Sequence, residues 1–215
     1  MDGLLYIVFS VIEGFSILYL ILNLFRISTK EHIKAVIIAN IFISISTYYF
    51  QESILSDVSP LLIMLLLLLF LVFIFKVSIL YSIFVTIFGF VFCLIIQGLL
   101  IYIPTLFTNL TFDSIKNNDL LRYSFQFLNS ILLIIIGRFL HIKGFGFTFA
   151  LYTPSMRFKL SYKNISIIML FGLSIVVTGI IFDINNMVMG ISLLLVIFIC
   201  LLFIGIKGEV AGRFD

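Results

Sequence analysis

Long apolar runs separated by short polar breaks extend over nearly the whole chain. Seven of these runs resemble membrane-spanning helices, which need about 20 apolar residues to cross a ~30 Å hydrocarbon core. The runs cover residues 4–25, 35–50, 58–75, 77–103, 121–138, 164–182 and 187–206. The pattern predicts an all-α integral membrane protein in which a single domain, residues 1–215, forms a bundle of seven transmembrane helices; six spans are the alternative count.

The boundary between the third and fourth runs depends on one charge. Lys76 is the only charged residue between positions 58 and 103. A continuous helix over this stretch would be about 69 Å long at 1.5 Å per residue, more than twice the thickness of the bilayer core. We therefore predict a helical hairpin that turns at Lys76, whose ammonium group can reach the lipid headgroups.

The basic residues of successive breaks predict the orientation of the bundle. Lys and Arg are enriched in cytoplasmic loops, and only Lys116 and Arg122 fall on the other side of the predicted bundle. This places the N-terminus outside and the C-terminus in the cytoplasm. The N-terminus has no basic region typical of a signal peptide, so residues 4–25 are interpreted as a retained span.

Composition agrees with a membrane location and excludes one class of partner. Hydrophobic residues make up 63% of the chain and charged residues 11%, against about 25% charged residues in soluble domains. The net charge of +3 follows from the basic loops on one side, so no nucleic-acid partner is expected. The lipid bilayer is the expected partner, in a bacterial cytoplasmic membrane. Cys93 and Cys200 lie inside apolar runs and predict no disulfide framework.

Four polar residues within the spans are the candidate ligand-binding residues. Glu13 lies about nine residues into the first span, and ionisable groups at this depth are costly and therefore functional candidates. Gln97, Gln126 and Asn129 lie at similar depth, in the half of the bundle nearer the predicted outside. They predict a pocket open to the outer leaflet; the alternative is that they form hydrogen bonds that only hold helices together.

Small and polar residues recur along one face of the fourth span. Their spacing of three and four residues is that of one helix face, and small residues there let another helix approach closely. The predicted packing face consists of Ser78, Ser82, Thr86, Gly89 and Cys93. Span four is accordingly expected at the centre of the bundle.

The longest predicted cytoplasmic segment, residues 138–163, is basic and aromatic. Small or polar residues alternate with Phe over 144–149, a pattern that favours an extended strand. We expect this segment either to lie on the membrane surface with its Phe rings in the lipid or to dock a cytoplasmic partner. The candidate docking residues are Phe145, Phe147, Phe149, Arg157 and Lys159.

The sequence contains no pattern typical of a membrane enzyme. HExxH, GxSxG and paired carboxylates on a helix are missing. His32 and His141 fall in polar breaks, whereas both cysteines fall inside spans, so no cysteine–histidine pair is expected at one membrane face. We predict no enzymatic activity, no metal site and no cofactor.

Several segments resemble the transmembrane sensor module of Agr-type peptide-responsive histidine kinases of Gram-positive bacteria. These segments are Ile12-Glu13-Gly14-Phe15, the hairpin Phe75-Lys76-Val77-Ser78 with Tyr81-Ser82, and the basic stretch Arg157–Asn164. In that family a kinase domain follows the last span, and here no phosphoacceptor histidine or ATP-binding glycines follow it. The resemblance implies a sensor module that acts through a partner protein.

Two functions are compatible with the sequence. The first is a binding or signalling module that senses a hydrophobic peptide or lipid-like ligand in the outer-leaflet pocket. The second is the membrane-embedded solute-binding subunit of a transporter, which would need access to the same pocket from both sides of the membrane.

Overall fold

The structure, a computed structural model, describes residues 3–27, 29, 32–52, 59–107, 114–115, 118–148, 169, 172–173 and 187–211. Six helices make up most of this part: α1 (Gly3–Leu24), α2 (Ile33–Glu52), α3 (Ser59–Phe73), α4 (Ile79–Phe107), α5 (Asp119–Lys143) and α6 (Met187–Ala211). No strand occurs within these ranges. The predicted all-α class is thus confirmed, while most of the predicted span 164–182 lies outside the described residues.

Four of these helices are long and apolar enough to cross a membrane. They comprise Gly3–Leu24, Tyr81–Phe107, Asp119–Lys143 and Met189–Lys207, and shorter apolar helices cover Ile33–Tyr49 and Leu62–Phe73. At 1.5 Å per residue, the 22 residues of α1 extend over about 33 Å, the thickness of a hydrocarbon core.

On α2, the exposed side chains include large apolar ones and the buried side chains include polar ones. On α2, Ile38 is 66% exposed and Phe42 is 55% exposed, whereas Asn40 and Ser44 are each 1% exposed. This polarity is the inverse of that of a soluble helix, which turns its apolar side to the core. It fits a bundle whose outer surface faces lipid, where the polar groups must be satisfied internally.

Two helices, α1 and α4, form the centre of the bundle. α1 packs on α2, α4 and α5, and α4 packs on α1, α3, α5 and α6. The main core includes the fully buried rings of Phe25, Phe84 and Phe88, in which α1 meets α4. The central position expected for span four is therefore found in α4, and α1 shares it.

Contacts at one end of the bundle join four helix ends. The ring centroids of His32 and Phe75 are 5.1 Å apart, which brings the start of α2 beside the end of α3. Arg26 Nη2 donates a hydrogen bond to Gly144 O, which brings together the ends of α1 and α5. Because this end also holds Lys76, between α3 and α4, we call it the basic end.

Aromatic contacts define the opposite end. The rings of Tyr6 and Tyr48 are 5.7 Å apart, and those of Phe9 and Tyr123 are 4.7 Å apart. The start of α1 therefore lies beside the end of α2 and the start of α5. It follows that α1 and α5 run parallel to each other and that α2 runs antiparallel to both.

α6 runs antiparallel to α4. Gly98, late in α4, faces Ile191 at the start of α6, and Phe88, early in α4, contacts Phe198 at 5.0 Å between ring centroids. α6 consequently starts near the opposite end and ends at the basic end, where Gly205 faces the ring of Phe147.

α5 ends later than the sequence predicted. Its predicted end was Arg138, but the helix continues to a left-handed residue, Gly144, at φ 67°. Gly144 N donates to His141 O at 3.2 Å and Phe145 N donates to Leu140 O at 3.0 Å, the hydrogen-bond pair of a Schellman cap. Arg138 is exposed and does not interrupt the helix, because a long basic side chain can extend to the headgroups.

The turn between α3 and α4 lies where the sequence places it. Lys76 adopts φ 53°, and Val77 N donates to Leu71 O at 3.2 Å to close the turn. The far end of α4 differs from the prediction, because the helix runs past residue 103 and includes Pro104. Proline removes one helical hydrogen bond, and α4 ends at Phe107, within a turn after it.

Gly137 allows α1 and α5 to approach each other closely. A Cβ atom added at this position would lie 3.2 Å from Leu20 Cα and 3.2 Å from Tyr19 Cδ1. Gly137→Leu should therefore separate the two helices and lower the stability of the bundle by about 1–3 kcal/mol, the usual cost of overpacking. Thermal unfolding in detergent checks this. Gly172→Leu is the matched control, because no atom of the described residues lies within 4 Å of a Cβ at that glycine; equal midpoints for the two variants would contradict the close approach.

Candidate functional site

A carboxyl group on α1 accepts two hydrogen bonds from α5. Gln126 Nε2 donates to Glu13 Oε2 at 2.5 Å, and Asn129 Nδ2 donates to Glu13 Oε1 at 3.3 Å. Gln126 and Asn129 are three residues apart on α5, so their side chains lie on the same helix face. We call these three residues the polar seam.

The polar seam contains one unsatisfied acceptor. Asn129 is 1% exposed, and its Oδ1 atom is buried without a hydrogen-bond partner in the described part of the chain. A buried polar atom without a partner costs about 1–3 kcal/mol. The seam therefore offers a place for one more donor beside the Glu13 carboxyl group.

Two stacked rings lie next to the polar seam, toward the end opposite the basic end. Phe9 lies one helical turn before Glu13, and Tyr123 lies one turn before Gln126. Their rings are 4.7 Å apart and 15° from parallel. A ligand that reached the seam from this end along the contact between α1 and α5 would have to displace this pair.

Gln97 does not join the polar seam. The structure brings together Glu13, Gln126 and Asn129, but within the described ranges no hydrogen bond connects Gln97 to any of them. Gln97 is half-buried on α4, which packs on both α1 and α5. Sequence depth predicted a common layer, yet depth alone does not define the direction in which a side chain points.

A second polar contact of α1 was not predicted from the sequence. Asn40, on α2, is 1% exposed and donates through Nδ2 to Val11 O at 2.5 Å. Gly14 lacks a Cβ atom where the Asn40 amide oxygen approaches α1. The available signal was an asparagine inside the apolar run 35–50. α1 therefore forms polar contacts with α2 and α5 around residues 11–14.

The predicted packing face of α4 lies largely inside the bundle. Ser82 and Thr86 are fully buried, Cys93 is 5% exposed, and Ser78 is half-buried. Gly89 faces the side chain of Ile21 on α1, where an added Cβ would clash. Small residues at this contact let α1 and α4 pack closely.

The segment after α5 inserts a Phe ring into the bundle. Phe147 is 7% exposed, and its ring lies 5.8 Å from that of Phe25 and 5.6 Å from that of Phe88. Phe147 N donates to Leu24 O at 2.9 Å, which satisfies a carbonyl group at the end of α1. Gly146 adopts φ 147° beside that same carbonyl group, where a Cβ atom would clash.

The structure changes the interpretation of the predicted docking segment. Phe147 does not lie in a strand, and its ring packs inside the bundle rather than against lipid or a partner. Phe145 is 59% exposed. The remaining candidates, Phe149, Arg157 and Lys159, lie outside the described residues.

An apolar cavity of about 520 Å³ adjoins the inserted ring at the basic end. Its walls come from the ends of α1 and α5, from α4 and α6, and from Phe145, Gly146 and Phe147. All its lining side chains are apolar, and Gly146 supplies backbone. The cavity therefore does not include the polar seam. It leaves empty space next to the Phe147 ring.

These features define a class of structure. The chain is an all-α protein with four helices that could span a membrane, two of which, α1 and α5, are joined by a carboxyl–amide contact. In the portion that the structure describes, no group of three His, Cys, Asp or Glu side chains could hold a metal ion. Comparison with protein-family models, with curated proteins and with solved structures found no match to this chain.

Proposed function

We propose that the chain is a non-enzymatic binding and signalling module with seven membrane spans, an external N-terminus and a cytoplasmic C-terminus. α5 ends at the basic end and α6 begins near the opposite end, an arrangement that supports a further span between these two helices. The apolar run 164–182 supports a span there. The basic end carries Arg26, Lys76 and Lys143, and these positive charges support a cytoplasmic location for that end of the bundle.

The observation that carries the proposal is the polar seam between α1 and α5. Interhelical hydrogen bonds in membranes contribute about 0.6–2 kcal/mol each, so the two bonds of the seam add a modest amount to the packing of α5 on α1. A hydrophobic peptide or lipid-like ligand with a polar group would compete for the Glu13 carboxyl group. Binding of such a ligand would bias the position of α5 relative to α1.

α5 connects the seam to the basic end. The helix runs from Asp119 to Lys143 and then leads directly into Gly146 and the inserted Phe147 ring. A shift of α5 would move this ring, and the adjacent 520 Å³ cavity provides space for it. Exposed residues at the same end, Phe145 and Lys143, are then available to a partner protein in a ligand-dependent arrangement. A sensor role of this kind is the one that the Agr-type resemblance implies.

A distance measurement across the basic end tests the proposal. Spin labels at Ile79→Cys and Ile142→Cys report on α4 and α5; both positions are exposed, and Cys200→Ser removes the exposed native thiol. The probe is a short peptide of Leu and Phe added to protein in lipid nanodiscs. We expect the peptide to change the distance distribution between the labels, because α5 moves when the seam opens.

Glu13→Gln is the matched variant for this measurement, since it keeps the size of the side chain while removing the carboxylate. The peptide should produce a smaller change in this variant than in the wild type. A distance distribution that the peptide leaves unchanged in wild type would contradict the signalling proposal. Accumulation of the peptide inside sealed liposomes that contain the protein, but not inside protein-free liposomes, would contradict it as well and would favour the transporter alternative.

A further inference from the structure

We infer that the polar seam recognises a protonated amine at the end of an apolar ligand. The inference rests on the proposed function and specifies the chemistry of its ligand. In the part of the chain that the structure describes, no salt bridge involves Glu13, and the two groups that donate to its carboxyl oxygens are neutral amides.

A carboxylate inside a membrane bundle needs a cation or a proton as well as neutral donors. Charges in hydrocarbon are costly unless they are paired, and amide hydrogen bonds stabilise the carboxylate without neutralising it. An amine ligand would supply the missing positive charge. A proton on Glu13 would also neutralise the group but would bring only one donor.

The count of donors and acceptors favours the amine. A carboxylate offers about four acceptor positions and an amide oxygen two; the two amides occupy one position on each Glu13 oxygen. Asn129 Oδ1 is buried with no partner in the described ranges, although the Nδ2 atom of the same amide donates to Glu13. The seam is thus short of donors, and an ammonium group carries three on one charged nitrogen.

The surroundings fit an apolar body attached to that amine. Phe9 and Tyr123 stack beside the seam, and the neighbouring positions on the outer surface of α1 and α5 are apolar, with Val8 45% and Phe127 47% exposed. An alkyl or apolar peptide chain can therefore remain in lipid while its amino group enters the seam. A free ammonium ion or a strongly polar amine lacks this anchor.

Three probes with the same alkyl chain separate charge from hydrogen bonding. Decylamine carries both, decanol carries one donor without charge, and decyltrimethylammonium carries charge without donors. Each is titrated into wild-type protein in phosphatidylcholine nanodiscs, with the thermal midpoint and the ¹³C signal of the Glu13 carboxyl group as readouts. Glu13→Gln assigns that signal among the four glutamates of the chain, and Gln97→Leu controls for a polar residue outside the seam.

We expect the wild-type protein to bind decylamine at least tenfold more tightly than the Glu13→Gln variant does. A ratio of this size corresponds to the loss of one charge-assisted hydrogen bond. Decylamine should also shift the Glu13 carboxyl signal, whereas decanol should leave it unchanged. Binding of decanol as tight as that of decylamine would overturn the amine assignment and leave the signalling proposal standing. A Glu13 carboxyl signal that none of the three probes shifts would also overturn the amine assignment, since a proton alone would then neutralise the carboxyl group. If decylamine bound but the Leu–Phe peptide failed to move α5, the result would contradict the proposed function and not the amine inference.

Discussion

Replacing Glu13 by Leu is expected to destabilise the bundle by about 2–4 kcal/mol. The substitution removes the acceptor of both α5 amides, Gln126 Nε2 and Asn129 Nδ2. Asn129 is 1% exposed and would keep no partner for either amide atom within the described residues. Reversible unfolding in bicelles, followed by circular dichroism, measures the loss.

Two matched variants show whether the loss comes from the seam. Glu13→Gln retains one carbonyl acceptor and should be destabilised less than Glu13→Leu. Gln97→Leu removes a polar side chain of α4 that forms no hydrogen bond to the seam, and its stability should stay within about 0.5 kcal/mol of wild type. If Glu13→Leu and Gln97→Leu had the same stability, the contact between α1 and α5 would not depend on the seam.

Phe147→Ala is expected to lower stability by about 3 kcal/mol, the low end of the range for Phe→Ala in protein cores. The buried ring of Phe147 contacts the rings of Phe25, Phe84 and Phe88. Removing it enlarges the cavity at the basic end. The low end applies because lipid tails are as apolar as the core, so the loss is one of packing. The same unfolding measurement applies.

Phe145→Ala provides the control for this prediction. Phe145 is two residues away but 59% exposed, so its truncation should change stability by no more than about 0.5 kcal/mol. The pair also separates the two functions of the segment. Under the proposed function, Phe145→Ala should weaken contact with the proposed partner at the basic end. A larger loss of stability in Phe145→Ala than in Phe147→Ala would contradict the placement of the rings.

Much of the helical architecture follows from the apolar runs, since each must satisfy its backbone groups internally in lipid. The ends of the helices were harder to predict. Arg138 looked like a boundary because it is charged, but the capping glycine Gly144 decides where α5 ends. The turn at Lys76 was predictable because the alternative, one continuous helix from residue 58 to residue 103, is too long for a bilayer.

The depth of the polar seam residues within the spans was predictable from the sequence, but the direction in which the side chains point was not. Glu13, Gln126 and Asn129 share a layer because each lies at a similar distance from a span end, and the structure places them in contact. Gln97 shares the layer but not the contact, since the rotation of α4 depends on packing at Gly89 against Ile21. The insertion of Phe147 depends on a backbone turn at Gly146, which alternation of residue types does not specify.

Solid-state NMR of the protein in bilayers measures the contact between α1 and α5 most directly. With ¹³C-labelled glutamate and ¹⁵N-labelled glutamine side chains, dipolar coupling reports the proximity of the Glu13 carboxyl carbon to the Gln126 amide nitrogen. We predict a strong coupling, consistent with the 2.5 Å hydrogen bond, that disappears in Gln126→Leu and persists in Gln97→Leu. A coupling to Glu13 that is missing in wild type, or that survives in Gln126→Leu, would contradict the polar seam and the function proposed for it.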